Sequence, residues 1–198
     1  MPFDSKLISE HPVLTIGHST HSLETFLRLL AEHNVGVVAD VRSAPYSKYN
    51  PQFNKGALSA SLKERGIKYV YLGKELGGMI FDSSYEEEFS RTALFQEGIA
   101  RIVKGSAMYR IALMCAEKDP IECHRGFRIS PALAEEGIRV LHILSDGSLE
   151  SYGASIERLL RVSGLEEDMF HSRQELVAEA LARKVASIEQ KMSMRVPK

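Results

Sequence analysis

Val35-Gly36-Val37-Val38-Ala39-Asp40-Val41-Arg42 is a nearly unbroken β-branched run that ends in an acid and a base. A strand without polar alternation is one covered on both faces, which is the habit of parallel sheets flanked by helices. Upstream, Val13 to Gly17 reads as a strand, and Ser22 caps a helix whose Leu23, Phe26, Leu27 and Leu30 recur at i, i+3, i+4 and i+7. Downstream, Asn54 opens a helix through Leu58 and Leu62 that Gly66 ends, and Ile67 to Leu72 gives a third strand. A longer amphipathic helix is expected from about Ser84 to Lys104, with Tyr85, Phe89, Leu94, Phe95, Ile99 and Ile102 for packing and Gly105 as its stop. Arg110 to Cys115, a helix over Glu122 to Glu136 that Gly137 ends, and Arg139 to Leu144 complete the alternation. Pro131 inside that last helix predicts a kink or a late start.

Strands alternating with helices require right-handed crossovers. The expected fold class is therefore α/β, a Rossmann-like three-layer fold with a mostly parallel five-stranded sheet, over residues 1–148. After Asp146-Gly147-Ser148 the pattern turns helical, with Ile156 to Val162 and Leu176 to Ile188 as helices, no further strand, and a frayed end from Met192. Residues 149–198 read as a helical C-terminal extension packed on the domain or on a partner subunit. Its Leu176, Val177, Ala180 and Leu181 suit either a homodimer or a cover for the sheet.

Composition narrows the function. At 198 residues, 44% apolar and 26% charged, the chain can bury an ordinary globular core. A net charge of −1 with no block of one sign disfavours a protein that coats duplex DNA through phosphate contacts. No secretory start and no apolar run of the roughly eighteen residues that a membrane span needs is visible, so no membrane partner is expected. Two cysteines, Cys115 and Cys123, cannot staple a domain of this size, and they read as reduced thiols of a cytoplasmic protein.

Open parallel sheets bind ligands at the carboxyl ends of their strands. There the sequence places Gly17-His18-Ser19-Thr20, Asp40-Val41-Arg42-Ser43, Gly73-Lys74-Glu75-Leu76-Gly77-Gly78, and Cys115-Ala116-Glu117 followed by Cys123-His124-Arg125. Asp40, Glu117, Cys115, Cys123 and His124 are the candidates for nucleophilic and proton-transfer chemistry. His18, Ser19, Arg42, Gly77, Gly78 and Arg125 are the candidates for holding a ligand. Each has a plainer reading. His18 can be an ordinary loop histidine, Asp40 and Arg42 a structural ion pair, Cys115 a small core residue, and Gly77-Gly78 a turn. No P-loop or G-x-G-x-x-G pattern is present, and no cofactor is assigned. No metal is assigned either, because the spacing of the two cysteines matches none of the short zinc motifs, and His18, Asp40, Cys115, Cys123 and His124 can converge only through the fold.

Taken in order, Ile16-Gly17-His18-Ser19-Thr20, Val38 to Ser47, Leu72 to Gly78 and Leu113 to Arg125 resemble the domain-of-unknown-function family 488 (DUF488), over about residues 13–147. The resemblance implies no assigned activity, although the name "DNA repair protein" attached to some members points toward nucleic acid. Separately, Cys123-His124-Arg125-Gly126-Phe127-Arg128 is similar to the C-x-x-G-x-R loop of rhodanese-like sulfurtransferases, and Asp40-Val41-Arg42 to a strand end of that fold. Rhodanese cysteines directly follow their strand, whereas Cys123 trails Cys115 by a loop.

Three functions follow as expectations. The first is an enzyme, a hydrolase or transferase, that takes a small anionic or nucleotide-derived ligand at the strand ends, with Arg42 and Arg125 fixing the anion and Asp40 or Glu117 moving a proton. The second is sulfur transfer through Cys123. The third is a non-catalytic module for single-stranded nucleic acid built on Arg42, Lys48, Lys55, Tyr46, Tyr49 and Phe53.

Overall fold

The computed structural model describes residues 11–78, 93–166 and 169–193. Apolar runs without polar alternation become central strands. β1 (Val13–Gly17) and β2 (Val37–Asp40) expose no residue, and between them in the chain runs α1 (Leu23–Glu32), capped by Ser22, whose Oγ accepts from the Thr25 amide. Next come α2 (Lys55–Glu64), the half-exposed edge strand β3 (Lys68–Tyr71) and a single turn, α3 (Gly73–Leu76). α4 (Ala93–Ser106) leads into the fully buried β4 (Ile111–Cys115). The earlier part of the expected long helix, with Tyr85 and Phe89, lies outside the described residues, and α4 runs one residue past Gly105.

The segment expected as one helix over Glu122 to Glu136 is broken into three. Pro120–Glu122 forms a 3-10 turn, Arg125–Ile129 a π-turn, and only α5 (Ser130–Glu135) is α-helical. Pro131 explains this, since it has no N–H to donate and sits in the first helical turn, where none is needed. The wider turn before it is closed by Ser130, whose amide and Oγ both donate to the Arg125 carbonyl.

β5 (Val140–Ile143) is followed by an additional strand, β6 (Leu149–Ser151), which corrects the five-stranded expectation. Asp146 and Gly147 make the hairpin. Asp146 accepts from the amide and hydroxyl of Ser148, and Gly147 takes a φ of +91°, a conformation that costs glycine little. The extension then continues as α6 (Tyr152–Val162) and α7 (Arg173–Ser193).

Among the described residues the six strands are ordered β3-β2-β4-β1-β5-β6, parallel except for β6. Side chains alternate across the sheet. Leu14, Ile16, Val38, Ala112 and Met114 pack beneath α1 and α2, while Val13, Val37, Ala39, Leu113 and Cys115 pack beneath α4 and α5. This is the three-layer arrangement. α6 and α7 form a third cluster around Ile121, in which Leu176 and Ala180 are buried within the chain. Arg158 of α6 anchors that cluster by bridging Asp119 and Glu150, with each of its four bonds 2.8 Å long.

One buried histidine gives the fold a pH dependence. His142 of β5 is fully enclosed between the hydroxyls of Thr15 (2.8 Å) and Ser155 (3.3 Å). Burial, reinforced by the charge of Arg125, lowers its pKa from 6.5 to about 3. Between those values the unfolded chain binds a proton that the folded chain refuses. Stability therefore falls as pH drops through this window, by up to about 1.4 kcal/mol per pH unit. Urea denaturation at pH 7, 6 and 5 should show His142→Gln with a shallower decline than wild type by about one proton. Parallel declines would refute this.

Candidate functional site

The order β2-β4-β1 sets three strand ends side by side, with Gly17 opposite Cys115 and Asp40 opposite Met114. Backbone pairing continues past the strands. His18 and Ser19 amides donate to the carbonyls of Cys115 and Ala116 (both 2.9 Å), and Val41 donates to Met114 (3.0 Å). Above this junction opens a cleft of about 900 Å³, with Cys115, Glu117, Cys123 and His124 among its lining residues. Ser19, Thr20, Ser43, Ser47, Tyr46, Arg42 and Lys118 also line it, and α7 contributes Ile188.

The thiols, separated in sequence, meet in space. Glu117 Oε2 lies 2.9 Å from Cys115 Sγ and 3.0 Å from Cys123 Sγ. His124 brings Nδ1 to 3.6 Å from Cys115 Sγ and 3.8 Å from Cys123 Sγ, while its Nε2 lies 3.1 Å from the Val41 carbonyl. A carbonyl can only accept, so Nε2 carries the proton there. Both cysteines and His124 are buried, and Glu117 is the exposed member of the group.

Three acids in so small a space cannot all ionise. Burial and the Cys123 charge push the Cys115 thiol up. For Cys123, burial is outweighed by a hydrogen bond from Cys115 and by the charges of Arg125 and His124, which hold its thiol well below the ordinary range. Glu117 is raised by burial and by Cys123. Its carboxylate lies against both sulfurs even though the residue as a whole is exposed. His124 is raised because Cys123 and Glu117 outweigh burial.

Asp40 is placed elsewhere than the catalytic reading expects. It is fully buried, does not line the cleft, and is held by Arg42 through Nε (2.9 Å) and Nη2 (2.6 Å) and by the Tyr69 hydroxyl (2.7 Å). Arg42 does line the cleft, but most of its donors are engaged by Asp40, the Phe53 carbonyl and His18. With Arg42 donating to Nε2 at 3.2 Å, His18 is neutral and donates from Nδ1 to the Ser19 carbonyl. Burial and the Arg42 charge lower its pKa to about 4. His18 stacks on Phe53, which is itself buried.

Arg125 is likewise not a cleft residue. It is 0% exposed and donates to the carbonyls of Glu117 (2.7 Å) and Lys118 (3.0 Å), so it shapes the loop that carries Glu117. Of the paired glycines, Gly78 lines the cleft and Gly77 does not. A Cβ on Gly78 would lie 2.8 Å from His124 Nδ1.

Two features were not read from the sequence. Gly17 permits the Glu117 carbonyl to approach so closely that a Cβ would stand 1.8 Å from it, a need that a strand-final glycine signals. Ile188 reaches the cleft from α7, and nothing local announces that.

A family model described as Domain of unknown function DUF488 matches residues 22–127, a narrower span than the resemblance suggested but more than half of the chain. No curated protein and no solved structure matches. No described helix is long and apolar enough to cross a membrane. On the strength of the family match, the chain belongs to the DUF488 family.

Proposed function

We propose that this protein is an enzyme, a hydrolase or transferase, acting on a small anionic ligand whose reacting group meets the floor of the cleft. The observation that carries this reading is the convergence of Cys115, Glu117, Cys123 and His124 in a cleft of about 900 Å³, a size suited to a small molecule. Lys118 and the remaining N–H of Arg42 offer charge to an anionic group, with the hydroxyls of Ser19, Thr20, Ser43 and Ser47 beside them. Glu117, raised above its usual range and open to the cleft, is the group placed to move a proton. Tyr46, 70% exposed on the rim, presents a ring to a nucleobase and favours nucleotide-derived ligands among the anions.

A thermal-shift screen of phosphate-, carboxylate- and sulfate-bearing metabolites, nucleotides included, followed by turnover assays on the hits, tests the reading. Glu117→Gln should retain binding and lose about 10²- to 10⁴-fold in turnover. A screen without a hit, or equal turnover by Glu117→Gln, would overturn it.

The other two readings draw less support. Sulfur transfer needs amides around the sulfur, but the Gly126 and Phe127 amides point at the Cys123 carbonyl (2.8 and 3.2 Å). A nucleic-acid surface loses Phe53 to the core, and Lys55 lies over the Tyr71 ring. Tyr46 and the 90% exposed Tyr49 are what is left of the proposed stacking platform.

A further inference from the structure

We infer that Cys115, Cys123, His124 and Glu117 form a zinc site at the base of the cleft, with three buried ligands and an exposed, exchangeable fourth. Their ligand atoms all lie within 4.8 Å of one another. Two thiolates and an imidazole are the ligand set that zinc prefers. With Zn–S of about 2.3 Å and Zn–N of about 2.0 Å, tetrahedral angles put sulfur and nitrogen about 3.6 Å apart. The observed separations from His124 Nδ1 are 3.6 and 3.8 Å.

The surroundings match that of a metal ligand. A ligating histidine usually gives its other N–H to a carbonyl or carboxylate, which fixes the tautomer and aims the lone pair. His124 does this with Val41, leaving Nδ1 toward both sulfurs. Gly78 lies close to the ring at a position where any side chain would crowd Nδ1. Arg125 supplies the counter-charge. It is fully buried and donates to the carbonyls of Glu117 and Lys118. A buried cation favours negative charge beside it. Zinc bound by two thiolates, a neutral imidazole and a carboxylate carries one net negative charge, which Arg125 balances.

Binding breaks the Cys115 S–H bond and sends that proton, with any held on His124 Nδ1 or Glu117, to solvent, while the Cys123 thiolate coordinates directly and the Glu117 carboxylate moves from the sulfurs onto the metal. Glu117 is the ligand open to the cleft, so an incoming anion can displace it, and catalytic zinc sites keep such a position. The inference rests on ligand geometry and is independent of the substrate class proposed above.

The test uses the full chain, stripped of metal under a non-chelating reductant, then titrated with Zn²⁺ against a chelating dye and with Co²⁺. One metal per chain should bind, and the cobalt form should show thiolate charge-transfer and tetrahedral d–d bands. Cys115→Ser and Cys123→Ser should each lose more than the roughly 100-fold that an outer-shell change costs. Glu117→Gln should keep the charge-transfer band and shift the d–d bands. Should the serine variants fail to fold, the wild type alone decides, because one equivalent of zinc must protect both thiols from alkylation. Absence of stoichiometric zinc, or thiols alkylated equally fast with zinc present, would overturn the site. Zinc binding without turnover of any anion would instead sink the proposed function and leave this inference standing.

Discussion

Asp40→Ala should lower the folding free energy by about 3–5 kcal/mol, because it strands a buried guanidinium without its counter-ion. In the native protein Asp40 accepts from Arg42 Nε, Arg42 Nη2, the Arg42 amide and the Tyr69 hydroxyl, and no part of it reaches solvent. Removing the carboxylate leaves all four donors short of an acceptor in a dry environment. Arg42 cannot shed its proton to escape. Urea denaturation monitored by circular dichroism reads the loss directly. The double variant Asp40→Leu/Arg42→Met removes both charges together and should be less destabilised than Asp40→Ala alone, since a buried pair costs most when half of it is deleted. A loss below about 1 kcal/mol for Asp40→Ala, the range of surface ion pairs, would show that the pair is solvated.

Gly17→Ala should be nearly as damaging, and for a different reason. The added Cβ meets the Glu117 carbonyl oxygen at 1.8 Å and its carbon at 2.8 Å, both backbone atoms that no rotamer change can move. Either the end of β1 or the loop after β4 must shift, at a cost of about 3 kcal/mol, the upper part of the usual range for overpacking. The loop carries Glu117 and is held by Arg125, so zinc affinity should fall together with stability. Gly56→Ala is the matched control. Its Cβ meets nothing within 4 Å, and in α2 it should stabilise by roughly 0.5–1 kcal/mol. A Gly17→Ala protein as stable as wild type would refute the close approach.

The architecture was readable wherever the sequence repeats a simple period. Apolar runs at Val13, Val37 and Ile111 become the three fully buried strands, and Ser22 caps its helix as its position suggests. Reading failed where structure depends on a partner. β6 is three residues long and mostly exposed, so it has no hydrophobic signature and exists through its pairing with β5. The π-turn at Arg125–Ile129 follows from Pro131, whose effect could be placed but not shaped.

The site shows the same division. Residue types that carry chemistry at strand ends were visible, but their commitments were not. Arg125 looks like an anion ligand beside Cys123 and His124, yet one helical turn directs it inward to the carbonyls of Glu117 and Lys118. Asp40 and Arg42 read either as a proton carrier beside an anion ligand or as a structural ion pair, and burial separates the two. The cluster of Cys115, Glu117, Cys123 and His124 leaves no short spacing motif, because it is assembled from the end of one strand and the turn that follows it.

The position of β1 bears on where this family's recognisable segment begins and ends. The matched stretch starts at Ser22, beyond β1, yet β1 lies between β4 and β5 and hydrogen-bonds to both. A fragment trimmed to the shared signature would lack an interior plank of its own sheet, along with the glycine and histidine that border the thiols. The matched stretch is therefore smaller than the sheet it belongs to, and the boundaries for expression should be drawn around the hydrogen-bond ladder.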